Sequence, residues 1–312
     1  VLSVGYSVTN KQVTNLLPLP WVVAAATVVV GSIFVVLLWA TGLRSPPKLS
    51  RAACWTLLPI GSFHAIGHIA GTVGTAAGSV SFAQVVKSAG PVYACVLSAL
   101  VLQQSVSKRV WLSLLPIVGG VALATVKELS FAWPALLGAV VSDLALALRN
   151  VYSKLSMDKP QGENMTPANH FGVLTVISAL FSIPMALAVE GAALVPAWKA
   201  AAPSRAAAAS LLARISLAGL YFYGYSEVAM KALKNVHPVT HAIGNTLRRV
   251  VILLVCMAVF HTPMSTPGAI GSTLAIGGSY IYAMVKAAEK RAANEIERAN
   301  GAATANAAGS RT

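Results

Sequence analysis

The sequence predicts an all-α polytopic membrane protein, and three observations predict it. Of 312 residues, 56% are apolar and only 10% are charged, against about 25% charged residues in a typical soluble domain. Apolar runs close to twenty residues long recur along the chain, each long enough to cross a ~30 Å hydrocarbon layer as a helix. The net charge of +14, from 23 Lys and Arg against nine Asp and Glu, falls mainly between those runs. This pattern excludes an ordinary soluble enzyme, a disordered chain and a coiled coil. It also excludes a nucleic-acid binder, which would gather its cations into a patch on a soluble domain.

Ten segments are expected, at 1–15, 20–42, 53–73, 79–103, 109–126, 134–157, 168–189, 211–233, 239–260 and 267–286. The first is too short to span and reads as the second half of a helix, so a processed or truncated N-terminus is expected. Pro and Gly punctuate the connections, as in Ser45-Pro46-Pro47-Lys48, Pro160-Gln161-Gly162 and Thr262-Pro263, because they fix or free φ. Beyond Lys286 the chain turns polar. Glu289 to Arg298 extends the last helix into water, and Gly301 to Thr312 is expected to be disordered.

Counting loop cations sets a topology. With the C-terminus on side B, that side holds Arg44, Lys48, Arg51, Lys108, Arg109, Lys154, Lys159, Lys231, Lys234 and the cations of the tail. Side A holds Lys11, Lys127, Lys199, Arg205 and Arg214. The positive-inside rule therefore puts side B inside. A weak internal repeat sets the domains. The unit from Ser81-Phe82-Ala83-Gln84 to Gly119-Gly120 resembles the unit from Thr240 to Gly277-Gly278. The reading is a first five-helix repeat at 1–126, a second at 127–288 and a polar tail at 289–312. Five is odd, so the second half is inverted, a design of secondary transporters with a site between the halves.

Four cations remain inside the spans: Lys87, Arg149, Arg248 and Arg249. Each costs about 2.5–3.5 kcal/mol on insertion scales at a helix centre. Lys87 and Arg248 lie roughly 12–14 Å into their helices at 1.5 Å per residue, near the midplane. Either they pair with buried acids or they line a polar cavity for an anion. The spans offer only Asp143 and Glu227, and two acids cannot neutralise four cations. Guanidinium and ammonium groups suit carboxylate or phosphate oxygens, and several cations suit a divalent phosphate ester. Tyr225 and His68 lie at similar depth, and each can bond a substrate oxygen or a neighbouring helix.

Other patterns carry less chemistry. Cys54, Cys95 and Cys256 lie in apolar segments without CxxC spacing, so neither disulfides nor zinc are indicated. His64/His68 and His237/His241 have i, i+4 spacing but no acid or thiol to complete a metal site. No metal, no cofactor and no catalytic residue is expected. Gly67, Gly71, Gly74 and Gly78 strip one helix face for close packing.

Several stretches together resemble the plastidic phosphate translocators, the triose-phosphate/phosphate translocator family of the drug/metabolite transporter superfamily. They are Asn10-Lys11, Pro18-Leu19-Pro20, Gly42-Leu43-Arg44, His64-Ala65-Ile66-Gly67-His68, Lys87-Ser88 with Pro91, Arg149-Asn150-Val151-Tyr152-Ser153-Lys154, and Pro238 to Asn245 followed by two cations. The likeness runs from about Asn10 to Lys286. It implies ten helices in a plastid inner membrane, with Golgi and endoplasmic reticulum relatives as the alternative. It implies strict exchange of inorganic phosphate for phosphorylated C3, C5 or C6 compounds. It assigns Lys87, Arg248 and Arg249 to the phosphate, and His68, Tyr225, Thr72 and Arg149 to the organic part. Three departures stand out: Arg248 for a lysine, Gly90 for the glutamate of the Lys-x-x-Glu-Pro pattern, and Gly71 for a threonine. Thr72, Ser88, Asn150 and Asn245-Thr246 look closer to the hexose- and pentose-phosphate branch. The alternatives are a nucleotide-sugar or drug exporter of the same superfamily and, more remotely, a membrane enzyme acting on lipid phosphates.

Overall fold

The computed structural model describes residues 1–100, 103, 105–126, 132–159, 162–235, 238–261 and 265–309. Among them the chain is almost wholly helical. In order, α1 is Leu2–Leu16, α2 Pro20–Ala40, β1 Lys48–Leu49, α3 Arg51–Ala77, α4 Val80–Lys87 and α5 Gly90–Leu100. Then come α6 Lys108–Val126, α7 Trp133–Met157, β2 Gly162–Glu163, α8 Pro167–Ala201, α9 Arg205–Asn235, α10 Pro238–Phe260 and α11 Thr266–Gly309. Among the described residues, seven stretches are long and apolar enough to cross a membrane, with Val80–Leu97 across α4 and α5 counted as one. Large apolar side chains point outward along these helices, as Ile33, Leu115, Leu180 and Ile270 do, which is what lipid contact requires.

Three expectations change. The fourth segment, read as 79–103, is two helices with a break at Ser88 and Ala89. Pro91 causes it. Proline has no N–H to bond the carbonyl four residues back, and its ring crowds that carbonyl; the carbonyl is that of Lys87. The seventh segment, read as ending at 189, continues as α8 to Ala201 despite Pro184 and Pro196. Its Ala-rich end favours helix, where the expected limit was set by bilayer thickness. The last helix runs to Gly309, through the Ala-rich stretch read as disordered, for the same reason.

Helix starts follow local chemistry. Ser50, Ser79 and Thr166 cap α3, α4 and α8, each accepting from the N–H three residues on. Pro20 and Pro167 sit in first turns, where a missing N–H costs nothing. Lys11 closes the other end of α3, donating to the Thr75, Ala76 and Gly78 carbonyls at 2.7, 3.2 and 2.9 Å.

Helix contacts come in matched pairs. The contact of α3 with α7 has a counterpart in α9 with α1, and that of α2 with α9 a counterpart in α8 with α3. The contact of α1 with α10 answers that of α7 with α4 and α5, while α2 meets α8, α4 meets α10 and α6 meets α11. The two ends of α2 are held differently. At its start Val13, Leu17, Leu19, Leu211 and Ile215 form an apolar cluster with Trp198, Ala201 and Ala202. Just past its other end, β1 pairs antiparallel with β2, Lys48 opposite Glu163, and those side chains form a solvent-exposed ion pair at 2.6 Å.

Glycines permit the closest approaches. A Cβ on Gly67 would meet Leu146 at 2.8 Å, and one on Gly71 would meet Ser142 Oγ at 2.8 Å. One on Gly74 would meet the Ala139 nitrogen at 3.0 Å. The expected small-residue face thus packs on α7, except that Gly78 lies beyond the end of α3. On α6, a Cβ on Gly120 would run into the Ala275 nitrogen on α11, whereas one on Gly119 meets nothing within 4 Å. Gly120→Val is therefore expected to destabilise the fold by about 1–3 kcal/mol or more through overpacking, read as a lowered thermal midpoint in detergent. Gly119→Val should leave that midpoint in place.

Candidate functional site

The break between α4 and α5 builds the site. Pro91 frees the Lys87 carbonyl, and Arg249 Nη1 on α10 donates to it. Ser279 Oγ on α11 donates to the next carbonyl, that of Ser88, at 2.9 Å. Both acceptors released by the break are satisfied by side chains from the other half of the chain. The Lys87 side chain turns toward α3 and α7, where its Nζ lies 3.2 Å from the Cβ position of Gly71. A side chain at 71 would take that space, which gives the departure at Gly71 a steric reading.

Three of the predicted cations converge there. Lys87 lies within electrostatic reach of Arg248 and Arg249. Arg248 Cζ sits 5.4 Å from the Tyr225 ring centroid, a cation–π distance. Arg149 on α7 approaches Tyr225 and Arg248. Its Nη1 bonds His64 Nδ1 at 2.8 Å, and its Nε and Nη2 bond Asn150 Oδ1 at 3.2 and 2.8 Å. An aromatic wall joins these groups: Tyr6 is 5.5 Å from Tyr225 and 5.4 Å from Phe222, and His68 is 3.9 Å from Phe222.

Two predicted residues are turned into the helix packing. His68 Nε2 shares a hydrogen bond with Thr27 Oγ1 at 2.8 Å. Thr72 is 1% exposed, with its hydroxyl donating to the His68 carbonyl at 3.0 Å and sharing a bond with Tyr6. Both line the neighbourhood of the cations, yet their polar atoms already have partners. His64, considered only for metal, instead pairs with Arg149. The side chains of His237, His241, Asn245 and Thr246 lie outside the described residues. Among the described residues no group of three His, Cys, Asp or Glu side chains could hold a metal.

The acids separate. Glu227 faces away from the cluster. Its two oxygens each accept from Arg44 at 3.0 Å, Lys231 adds a contact at 2.7 Å, and Tyr223 Oη joins Arg44 at 3.1 Å. Burial disfavours the Arg44 charge, but its bonds to Glu227 outweigh this and raise its pKa above the ordinary value. Asp143 alone among the described acids faces Lys87, Arg248 and Arg249. Sequence reasoning weighed it as a counter-ion and missed it as part of the site. The signal was available, since Asp143 lies six positions before Arg149 in an apolar helix. Among the described groups, Lys87, Arg149, Arg248 and Arg249 against Asp143 leave three positive charges without a facing acid.

The profile of the Triose-phosphate Transporter family matches residues 1–283. The chain is 35% identical to a xylulose 5-phosphate/phosphate translocator, chloroplastic, of Arabidopsis thaliana, over 93% of this chain and 69% of that protein. It is 34% identical to phosphoenolpyruvate/phosphate translocator 3, chloroplastic, of Oryza sativa subsp. japonica (92% and 72%). It is 33% identical to a triose phosphate/phosphate translocator, chloroplastic, of Flaveria pringlei (92% and 69%). A solved structure described only as "Crystal structure of protein" superposes with a TM-score of 0.57 at 15% identity, over 91% of this chain and 93% of its own. That likeness speaks to fold alone.

The position of Glu227 makes a prediction. Glu227→Gln removes the charge that holds Arg44 and Lys231, and should cost about 1–3 kcal/mol of stability for lost charge-assisted bonds. The thermal midpoint should fall while the anion affinity of the cation cluster stays as it was.

Proposed function

The chain belongs to the triose-phosphate transporter family, and we propose that it is a strict antiporter of a plastid inner membrane. It exchanges inorganic phosphate for phosphorylated C3, C5 or C6 compounds. The observation that carries this is the convergence of Lys87, Arg248 and Arg249 on a site with one facing acid, Asp143. The chloroplastic phosphate translocators among its relatives support the substrate class and the compartment. Identities of 33–35% across three substrate branches favour none of them, so the choice of organic substrate rests on side chains near the site.

In this reading ten helices form two inverted five-helix repeats, α4 and α5 together making one. The matched helix contacts support it, because exchanging the halves carries the most extensive contacts onto one another or onto themselves. The site lies between the halves, with Lys87 from the first and Arg248 and Arg249 from the second. The three cations hold the phosphoryl group. Tyr225, already under the Arg248 guanidinium, lies beside the organic part. Arg149, His68 and Thr72 complete the lining, with His68 and Thr72 setting its shape through their own bonds. Alternating access exposes the site to each face in turn. A loaded site can close because the phosphate dianion offsets the cations. Closing an empty one would bury uncompensated charge in low dielectric, which is costly, so exchange outruns net flow.

Labelled phosphate should enter liposomes carrying the protein only when they are preloaded with phosphate or a phosphate ester. Competition by triose phosphate, 3-phosphoglycerate, phosphoenolpyruvate, xylulose 5-phosphate and glucose 6-phosphate should then rank the substrates. Lys87→Ala should abolish exchange while the protein keeps its thermal midpoint. Exchange retained by a folded Lys87→Ala protein would sink the assignment, and nucleotide-sugar uptake without phosphate dependence would move it to the exporters.

A further inference from the structure

Arg149 is pinned from two sides. On its own helix, α7, the next residue Asn150 accepts from Nε and Nη2 through Oδ1, at 3.2 and 2.8 Å. From α3, His64 Nδ1 lies 2.8 Å from Nη1. Asn150 moves with Arg149, so among the described residues His64 is the hydrogen-bond partner that ties this guanidinium to another helix. A guanidinium carries five N–H bonds, and these contacts engage three. One remains on Nη1 and one on Nη2 without a partner among the described residues, in a group that lies within electrostatic reach of Tyr225 and Arg248.

The His64 ring is fixed in turn. It is 0% exposed, with Phe222 stacked on it at 5.6 Å and 18° and Phe171 edge-on at 5.4 Å. A guanidinium only donates. Nδ1 therefore accepts, and the ring is the neutral tautomer with its hydrogen on Nε2. That Nε2 is buried with no partner among the described residues, which costs stability. Packing between two phenylalanines does not call for a histidine, because a hydrocarbon ring fills such a place without burying an unpaired N–H. What the histidine adds is the acceptor at Nδ1.

We propose that His64 is a positioning residue for the organic part of the substrate. It holds Arg149 so that the two uncommitted N–H bonds are already oriented when a phosphate ester arrives. This rests on the site proposed above, in which Arg149 meets the organic part. Lys87, Arg248 and Arg249 hold the phosphoryl group, and among the described residues the His64 bond runs to Arg149 instead. The effect of His64 therefore falls on the ester more than on inorganic phosphate. Without it the guanidinium turns freely, and each binding event has to order it again.

The test compares ester with phosphate on the same protein. Inhibition of labelled-phosphate exchange in liposomes and thermal stabilisation in detergent are measured with inorganic phosphate, triose phosphate, 3-phosphoglycerate, phosphoenolpyruvate, xylulose 5-phosphate and glucose 6-phosphate. The ester that the natural protein binds best is carried through the variants. His64→Phe keeps a ring between the phenylalanines and removes the acceptor. Its preference for that ester over phosphate should fall about three- to tenfold, the effect of ordering a freed arginine on binding. His64→Asn, whose Oδ1 takes the place of Nδ1, should keep the preference, and His64→Gln, whose amide reaches the place of Nε2, should lose it. In an Arg149→Ala background His64→Phe should lower the preference no further. An unchanged ratio in a folded His64→Phe protein would overturn the proposal, because a histidine that only packs weakens phosphate and ester alike. A further fall in the Arg149→Ala background would overturn it too. Should His64→Phe fail to fold, equal ratios in the Asn and Gln variants would do the same. A natural protein that binds phosphate and ester without exchanging them sinks the antiport reading, and the binding ratios still decide the role of His64. One that binds neither overturns the site and this role together.

Discussion

Pro91 withholds the one N–H that could close the helical bond on the Lys87 carbonyl, and Arg249 takes that carbonyl instead. The rest of the site depends on this exchange. It ends α4 at Lys87, leaves the lysine side chain at the tip of a short helix, and brings a guanidinium of α10 to the same point. One missing hydrogen atom in the backbone thus joins two cations that are 162 residues apart. Without an acceptor supplied by the break, Arg249 would have to find another partner in an interior that offers few.

Electrostatics alone would not hold such a cluster. Like charges at this spacing repel, and burial adds a desolvation cost to each. The structure answers by giving each arginine something other than a carboxylate. Arg249 has a carbonyl, Arg149 has His64 and Asn150, and Arg248 has the face of Tyr225. These partners orient the groups without cancelling their charge. The acid that could have cancelled it, Glu227, is held elsewhere by Arg44, in the loop after α2, and by Lys231, one turn on along α9.

Much of this was legible in the sequence for a physical reason. A charge in an apolar run is expensive, so Lys87, Arg149, Arg248 and Arg249 stood out without any structure. Helix positions were legible because lipid imposes a length and a composition. What was not legible depends on three-dimensional approach. The break before Pro91 vanishes in an averaged apolar window. Thr72 and His68 look free in a helix and are tied to Tyr6 and Thr27, which lie far off in the chain. Asp143 and Glu227 look alike as in-span acids, and only the folded positions of Arg44 and Arg249 tell them apart. The reach of α8 and α11 was lost because bilayer thickness limits only the part of a helix that is in the bilayer.

The two ends of α2 carry different fastenings: an apolar cluster at Leu17 and Leu19, and a backbone ribbon with the exposed pair Lys48–Glu163 at the other. These respond to different variables. Salt screens the exposed pair and leaves the apolar cluster untouched or tighter, while cooling weakens the apolar cluster and spares the ribbon. The two contacts therefore answer to separate handles: ionic strength loosens the ribbon's ion pair, and cooling loosens the apolar cluster.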